Sequence, residues 1–177
     1  MDFSVLSCQN ASMWNKIYTA VLGISFVLMV GLTFYSYTWL QSVGAPVNVV
    51  QNYDYYSNIS WLFLWISSLV LLVLANVVLW TTRNAWAMWA TFLYFALFML
   101  IQTLWLDQSF FNYKQQNGLA NAAFSLGAFS GILFCGLAAA IVFFNQFIVK
   151  RMRDKMLQPQ SSTENQTQAK IDLNKNN

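Results

Sequence analysis

Residues 59–106 read ISWLFLWISSLVLLVLANVVLWTT, then Arg83 and Asn84, then AWAMWATFLYFALFMLIQTLWL. The two apolar runs, 59–82 and 85–106, contain no Asp, Glu, Lys, Arg or His. A helix needs about 20 mostly apolar residues to cross ~30 Å of hydrocarbon. In lipid the backbone must satisfy its own hydrogen bonds, which a helix does within one segment. The two runs therefore predict a transmembrane helical hairpin, and the short turn makes its helices antiparallel neighbours.

Upstream, residues 17–40 predict another span, with Trp14 and Tyr18 at one end and Tyr35, Tyr37 and Trp39 at the other. Amphipathic aromatics belong at headgroup depth. Residues 41–58 read as a loop. Gly44-Ala45-Pro46 breaks the helix, Val47-Asn48-Val49-Val50 suggests a short extended piece, and Tyr53-Asp54-Tyr55-Tyr56 suits an interface. Within the hairpin, Trp61, Trp65 and Trp105 are expected at its open end, with Trp80, Trp86 and Trp89 at its turn. Residues 107–123 read as a second loop with a turn signal at Asn117-Gly118, and 119–149 as the fourth span.

The expected fold class is thus an all-α integral membrane protein, a four-helix transmembrane bundle. The chain divides into an N-terminal segment 1–16, a four-span domain 17–149, and a basic collar with a polar tail, 150–177. The tail has almost nothing to bury and is expected to be disordered. Composition agrees: 58% of the 177 residues are hydrophobic and 8% charged, against about 25% charged in soluble domains.

Basic residues near span ends mark the cytoplasmic side. With four spans, Lys16, Arg83, Lys150, Arg151, Arg153 and Lys155 fall on one side, while Asp54, Asp107 and Lys114 fall on the other. Both termini are therefore expected in the cytoplasm, in a plasma or inner membrane. The same Arg83 and the 150–155 collar are candidate contacts for lipid headgroups.

Chemistry is sparse. There is no histidine, which removes the usual general base and the commonest metal ligand. Cys8 and Cys135 lie too far apart along the predicted topology to form a disulfide framework. No HExxH, CxxC or Gly-rich phosphate loop is present. Proton relays and ion pathways use ionisable residues inside the membrane, and the spans offer only tyrosines and Cys135. Neither paired loop cysteines nor a membrane-embedded glutamate is present, so no four-span family marked by those motifs is matched. The expectation is a protein that is not an enzyme, has no cofactor and no metal, and binds no nucleic acid.

Two sets of residues stand out. Ala123, Gly127, Gly131, Cys135 and Ala139 recur every four residues on the last span, and small residues at that spacing let helix backbones approach closely. They form either the packing face toward the protein's own hairpin or a docking face for a partner. Ser67, Ser68, Asn76, Thr91, Tyr94 and Gln102 place polar groups at depth; they form either interhelical hydrogen bonds or a weakly polar cavity. Two modification signals are weaker: Asn58-Ile59-Ser60 fits a glycosylation acceptor, and Cys8 is a candidate for acylation.

The expected partners are membrane lipids together with another membrane protein or a second copy. The function these readings suggest is an accessory subunit, assembly factor or membrane organiser acting through helix–helix contacts. The alternative is a passive channel or carrier for a small neutral or lipid-like molecule.

Overall fold

The computed structural model describes residues 3–82, 84–119 and 127–157. Its elements are α1 (Phe3–Leu40), α2 (Pro46–Thr82), α3 (Trp86–Leu100), a π-helical turn (Ile101–Leu106), α4 (Asp107–Gln116) and α5 (Gly127–Leu157). The π-turn joins α3 to α4 without a break, so Trp86–Gln116 is one long helix. Four helices are long and apolar enough to span a membrane, and the described residues are otherwise short connections.

Among the described residues both expected loops are largely helical. Residues 47–50 are not extended: α2 begins at Pro46 and runs unbroken through Tyr53-Asp54-Tyr55-Tyr56. Proline suits the first helical position because its ring pre-sets φ and its missing N–H has no partner there. The Ala45 carbonyl accepts from Asn48 and Val49 and starts the helix. Its buried stripe is continuous: Val49, Tyr53, Ser57, Ser60, Leu64, Ser67, Leu71, Ala75 and Val78. Those steps of three and four residues keep one seam facing a neighbour, as in a coiled coil. Burial of the early part of the stripe outweighs the weak helix propensity of its Asn, Tyr and Ser residues.

The second expected loop is helical up to Gln116 and stops at Asn117-Gly118. Gly118 has φ +69°, the left-handed conformation that glycine adopts without a Cβ penalty. Its N–H donates to the Gln115 carbonyl at 3.2 Å, and the Leu119 N–H donates to the Lys114 carbonyl at 2.8 Å. This paired pattern is the Schellman motif, which satisfies carbonyls left over at a helix end.

The α2–α3 hairpin is the centre of the molecule, and its turn is closed by side chains. The Asn84 Oδ1 accepts from the Trp86 N–H at 3.1 Å, and the Asn84 N–H donates to the Thr82 hydroxyl. Helix α1 packs along α2 and touches α3, and α5 packs chiefly on α3 and the π-turn. The main core includes Tyr18, Met29, Leu64, Leu71, Met88, Phe98 and Met99. A second, smaller core at the Pro46 end joins Leu40, Tyr53, Leu106 and Phe110. There Tyr53 stacks on Phe110 at 4.1 Å, and the Lys114 ammonium sits 4.3 Å from the same Phe110 ring. Tyr53 thus belongs to a helix and a packed interior, which corrects its placement in a loop. Its position on the continuous α2 stripe is the reason.

Candidate functional site

Several interior polar groups form rungs between helices, while Ser36 and Thr103 donate to carbonyls of their own helices. In the α2–α3 seam the Ser67 Oγ lies 2.8 Å from the Tyr94 hydroxyl, and the Gln102 Nε2 donates to the Ser60 Oγ at 2.5 Å. Ser60 and Gln102 are both fully buried, and the Gln102 Oε1 has no partner among the described residues. Between α1 and α3 the Tyr18 hydroxyl donates to the Ala87 carbonyl at 2.7 Å and lies 2.9 Å from the Thr91 Oγ1. Thr91 in turn donates to the same Ala87 carbonyl at 2.9 Å. Between α2 and α5 the Asn145 Nδ2 donates to the Asn76 Oδ1 at 2.8 Å, while the Asn76 Nδ2 donates to the Leu72 carbonyl.

The six polar residues singled out by sequence are therefore spread along the bundle. Ser68 and Thr91 border a cleft of about 110 Å³ between α2, α3 and α5. Tyr94 borders a wider groove of about 530 Å³ between α1 and α3, beside Gly23, Phe26 and Leu97. Ser67, Asn76 and Gln102 border neither. Both spaces are lined almost wholly by apolar side chains.

On α5, Gly131 is buried, and a Cβ built there would overlap the Thr103 side chain. The Cys135 Sγ is 4.0 Å from the Ala96 carbonyl oxygen. Ala139 is half-buried, Gly127 is the first described residue of α5, and Ala123 lies outside the described residues. Gly131 and Cys135 thus lie against α3 and the π-turn. Among the described residues the opposite face of α5 is open, with nothing within 4 Å of a Cβ built at Gly136. Among the described side chains of α5, only Gly131 and Val142 are buried.

The collar continues α5 as helix. Lys150, Arg151 and Lys155 are exposed, and Arg153 is half-buried with Asp154 at 3.6 Å from its guanidinium. Because Asn145 pairs with Asn76 and both helices run the same way, Lys150 and Arg151 stand level with the end of α2 at Thr82. Tyr18 bonds to the start of α3, which sets Lys16 at that same end of the bundle. Arg83 lies outside the described residues.

Two residues that matter structurally were not singled out in the sequence. Tyr18 reads as an end-of-span aromatic, yet it is fully buried and bridges α1 to α3. Its nearest signal was its position one turn inside Trp14. Ser60 reads as part of a glycosylation acceptor, but its hydroxyl is buried against Gln102. Among the described residues no group of three or more His, Cys, Asp or Glu side chains is placed to hold a metal ion. No protein-family model, curated protein or solved structure matches this chain.

Proposed function

We propose that this chain is a four-span integral membrane protein that works without catalysis, as an accessory subunit, assembly factor or membrane organiser. The observation that carries the reading is the state of α5. Its Gly131 side is packed on the hairpin, while its other side leaves Leu133, Gly136, Leu137 and Phe144 uncovered. Small residues on an open helix face permit close backbone approach by a partner helix. The partner is another membrane protein or a second copy. The interior supports a scaffold role, since Ser60, Ser67, Asn76, Thr91, Tyr94 and Gln102 are engaged in rungs between helices.

Both termini are assigned to the cytoplasmic side of a plasma or inner membrane. Lys16 and the 150–155 collar stand at one end of the bundle, where positive charge favours the cytoplasm and meets anionic headgroups. A reporter fused at Asn177 should read as cytoplasmic; an external reading would overturn the orientation.

Crosslinking mass spectrometry in mild detergent tests the function. A stable partner or self-association is expected, and Gly136→Ile should abolish it while the monomer stays folded. Absence of any stable assembly would remove the proposal. Gly131→Ile is the wrong variant for this purpose, because it collides with Thr103 inside the monomer.

A further inference from the structure

We infer that the outward face of α5, at its collar end, is a binding site for an anionic phospholipid, with the phosphate between Arg151 and Lys155 and the acyl chains along Phe147 and Phe144. These four residues follow one another at steps of three and four, so they share one face of the helix. All four are exposed, and they lie on the side away from Gly131 and Val142, the two buried positions that meet the hairpin. Within about one turn this face changes from aromatic hydrocarbon to positive charge.

Charge selects the occupant. Arg151 and Lys155 are neighbours on the helix surface, and like charges four residues apart repel. Among the described residues neither has an acidic partner. Asp154, the one acid of α5, sits 3.6 Å from the Arg153 guanidinium. Lys150 is exposed beside Arg151 and adds a third positive charge. A phosphate with a net negative charge relieves the repulsion and accepts charge-assisted hydrogen bonds from both side chains. A zwitterionic headgroup brings its own cation to a face that is already basic, which makes it the weaker ligand.

Height agrees with charge. Lys150 and Arg151 stand level with Thr82 at the end of α2. Trp80 and Trp86, close to that end, are exposed, and such aromatics sit at headgroup depth. One leaflet of hydrocarbon is roughly 15 Å deep, half of the ~30 Å core, so chains from a phosphate at Arg151 run past Phe147 and Phe144. Gly136 lies ~22 Å from Arg151 along the axis, beyond the middle of the bilayer. The lipid therefore leaves the Gly136 end of α5 free for a partner. The site rests on the reading that α5 spans a membrane with its collar at one surface, and it is indifferent to which surface is cytoplasmic.

Native mass spectrometry of the full chain in mild detergent tests it, with phosphatidylglycerol and phosphatidylcholine of identical acyl chains as probes. The wild type should bind the first phosphatidylglycerol roughly tenfold more tightly than phosphatidylcholine. The double variant Arg151→Gln/Lys155→Gln should lose phosphatidylglycerol affinity by roughly five- to thirtyfold, from about fivefold for each base lost at an anionic surface. Its affinity for phosphatidylcholine should not change. Lys170→Gln/Lys175→Gln removes the same charge from the tail and should leave both affinities as they are. Phe147→Ala, which shortens the apolar seat, should weaken both lipids alike. The inference is overturned if the wild type binds the two lipids alike, if the collar variant keeps its preference, or if the tail variant loses as much as the collar variant. The same spectra record dimers and bound protein partners, so failure of the assembly reading and failure of the lipid site are told apart.

Discussion

Gly131 of α5 lies directly against Thr103 in the π-helical turn, with the Thr103 Cβ only 2.9 Å from where a Gly131 Cβ would stand. The two helices approach this closely because one of them offers no side chain. Gly131→Ala must therefore move α5 away or push Thr103 off its rotamer. Overpacking of this kind costs about 1–3 kcal/mol. Gly136→Ala adds its methyl to open space, and it should be neutral or stabilise by up to ~1 kcal/mol through the better helix propensity of alanine. Unfolding of both variants in detergent compares them, and equal effects would contradict the packing. Thr103→Ala should partly rescue Gly131→Ala, since it removes the Oγ1 and Cγ2 that crowd the new methyl.

The Ser67–Tyr94 rung joins α2 to α3 at 2.8 Å. Interhelical hydrogen bonds in membranes average ~0.6 kcal/mol. Ser67→Ala and Tyr94→Phe should each cost about that amount, and the double variant no more than the larger single. A double-mutant cycle on unfolding free energies reads the coupling; strict additivity would show that the rung contributes nothing.

The Ser60–Gln102 rung should respond unequally to its two halves. Gln102→Leu leaves only Ser60, whose hydroxyl is able to turn back to a carbonyl of its own helix. Ser60→Ala leaves a fully buried amide whose Oε1 already lacks a partner. Unpaired buried groups cost ~1–3 kcal/mol each. Ser60→Ala is therefore expected to destabilise more than Gln102→Leu, although it deletes far less of the side chain. Chemical unfolding of the two single variants decides the order.

Gly118→Ala places a Cβ at φ +69°, where L residues other than glycine are strained by ~1–2 kcal/mol. The expected effect is fraying of α4 from its C-terminal end, read as faster amide exchange near Lys114–Gln116. Asn at this position should be milder, because asparagine tolerates the left-handed region. Equal exchange in both variants would argue against the Schellman stop.

The apolar spans were readable because hydrocarbon-length runs without charge have few other uses: residues 59–82 lie inside α2, and 86–106 lie inside α3 and its π-turn. The helix ends were less readable. Residues 46–58 carry polar and aromatic side chains suited to a loop, and their helicity follows from Val49, Tyr53 and Ser57 continuing the stripe that packs on α1 and α4. The halt at Gly118 was marked by its Asn-Gly pair, but the helix leading up to it was not. The polar residues were visible one by one, while their pairing was not. Ser67 and Tyr94 are 27 positions apart and Asn76 and Asn145 are 69 apart, and such partners depend on helix rotation.

The sequence by itself determined that the chain forms four long apolar helices, that a hairpin stands at their centre, and that positive charge gathers near three span ends. Those properties are local, set by composition, length and breakers along single segments. Tertiary structure alone decided which side of α5 is spent on Thr103 and which hydroxyls pair. These depend on the rotation and height of each helix against its neighbours. In a chain this uniformly apolar, those two quantities leave almost no periodic trace, because most helix faces are hydrophobic whether they meet protein or not.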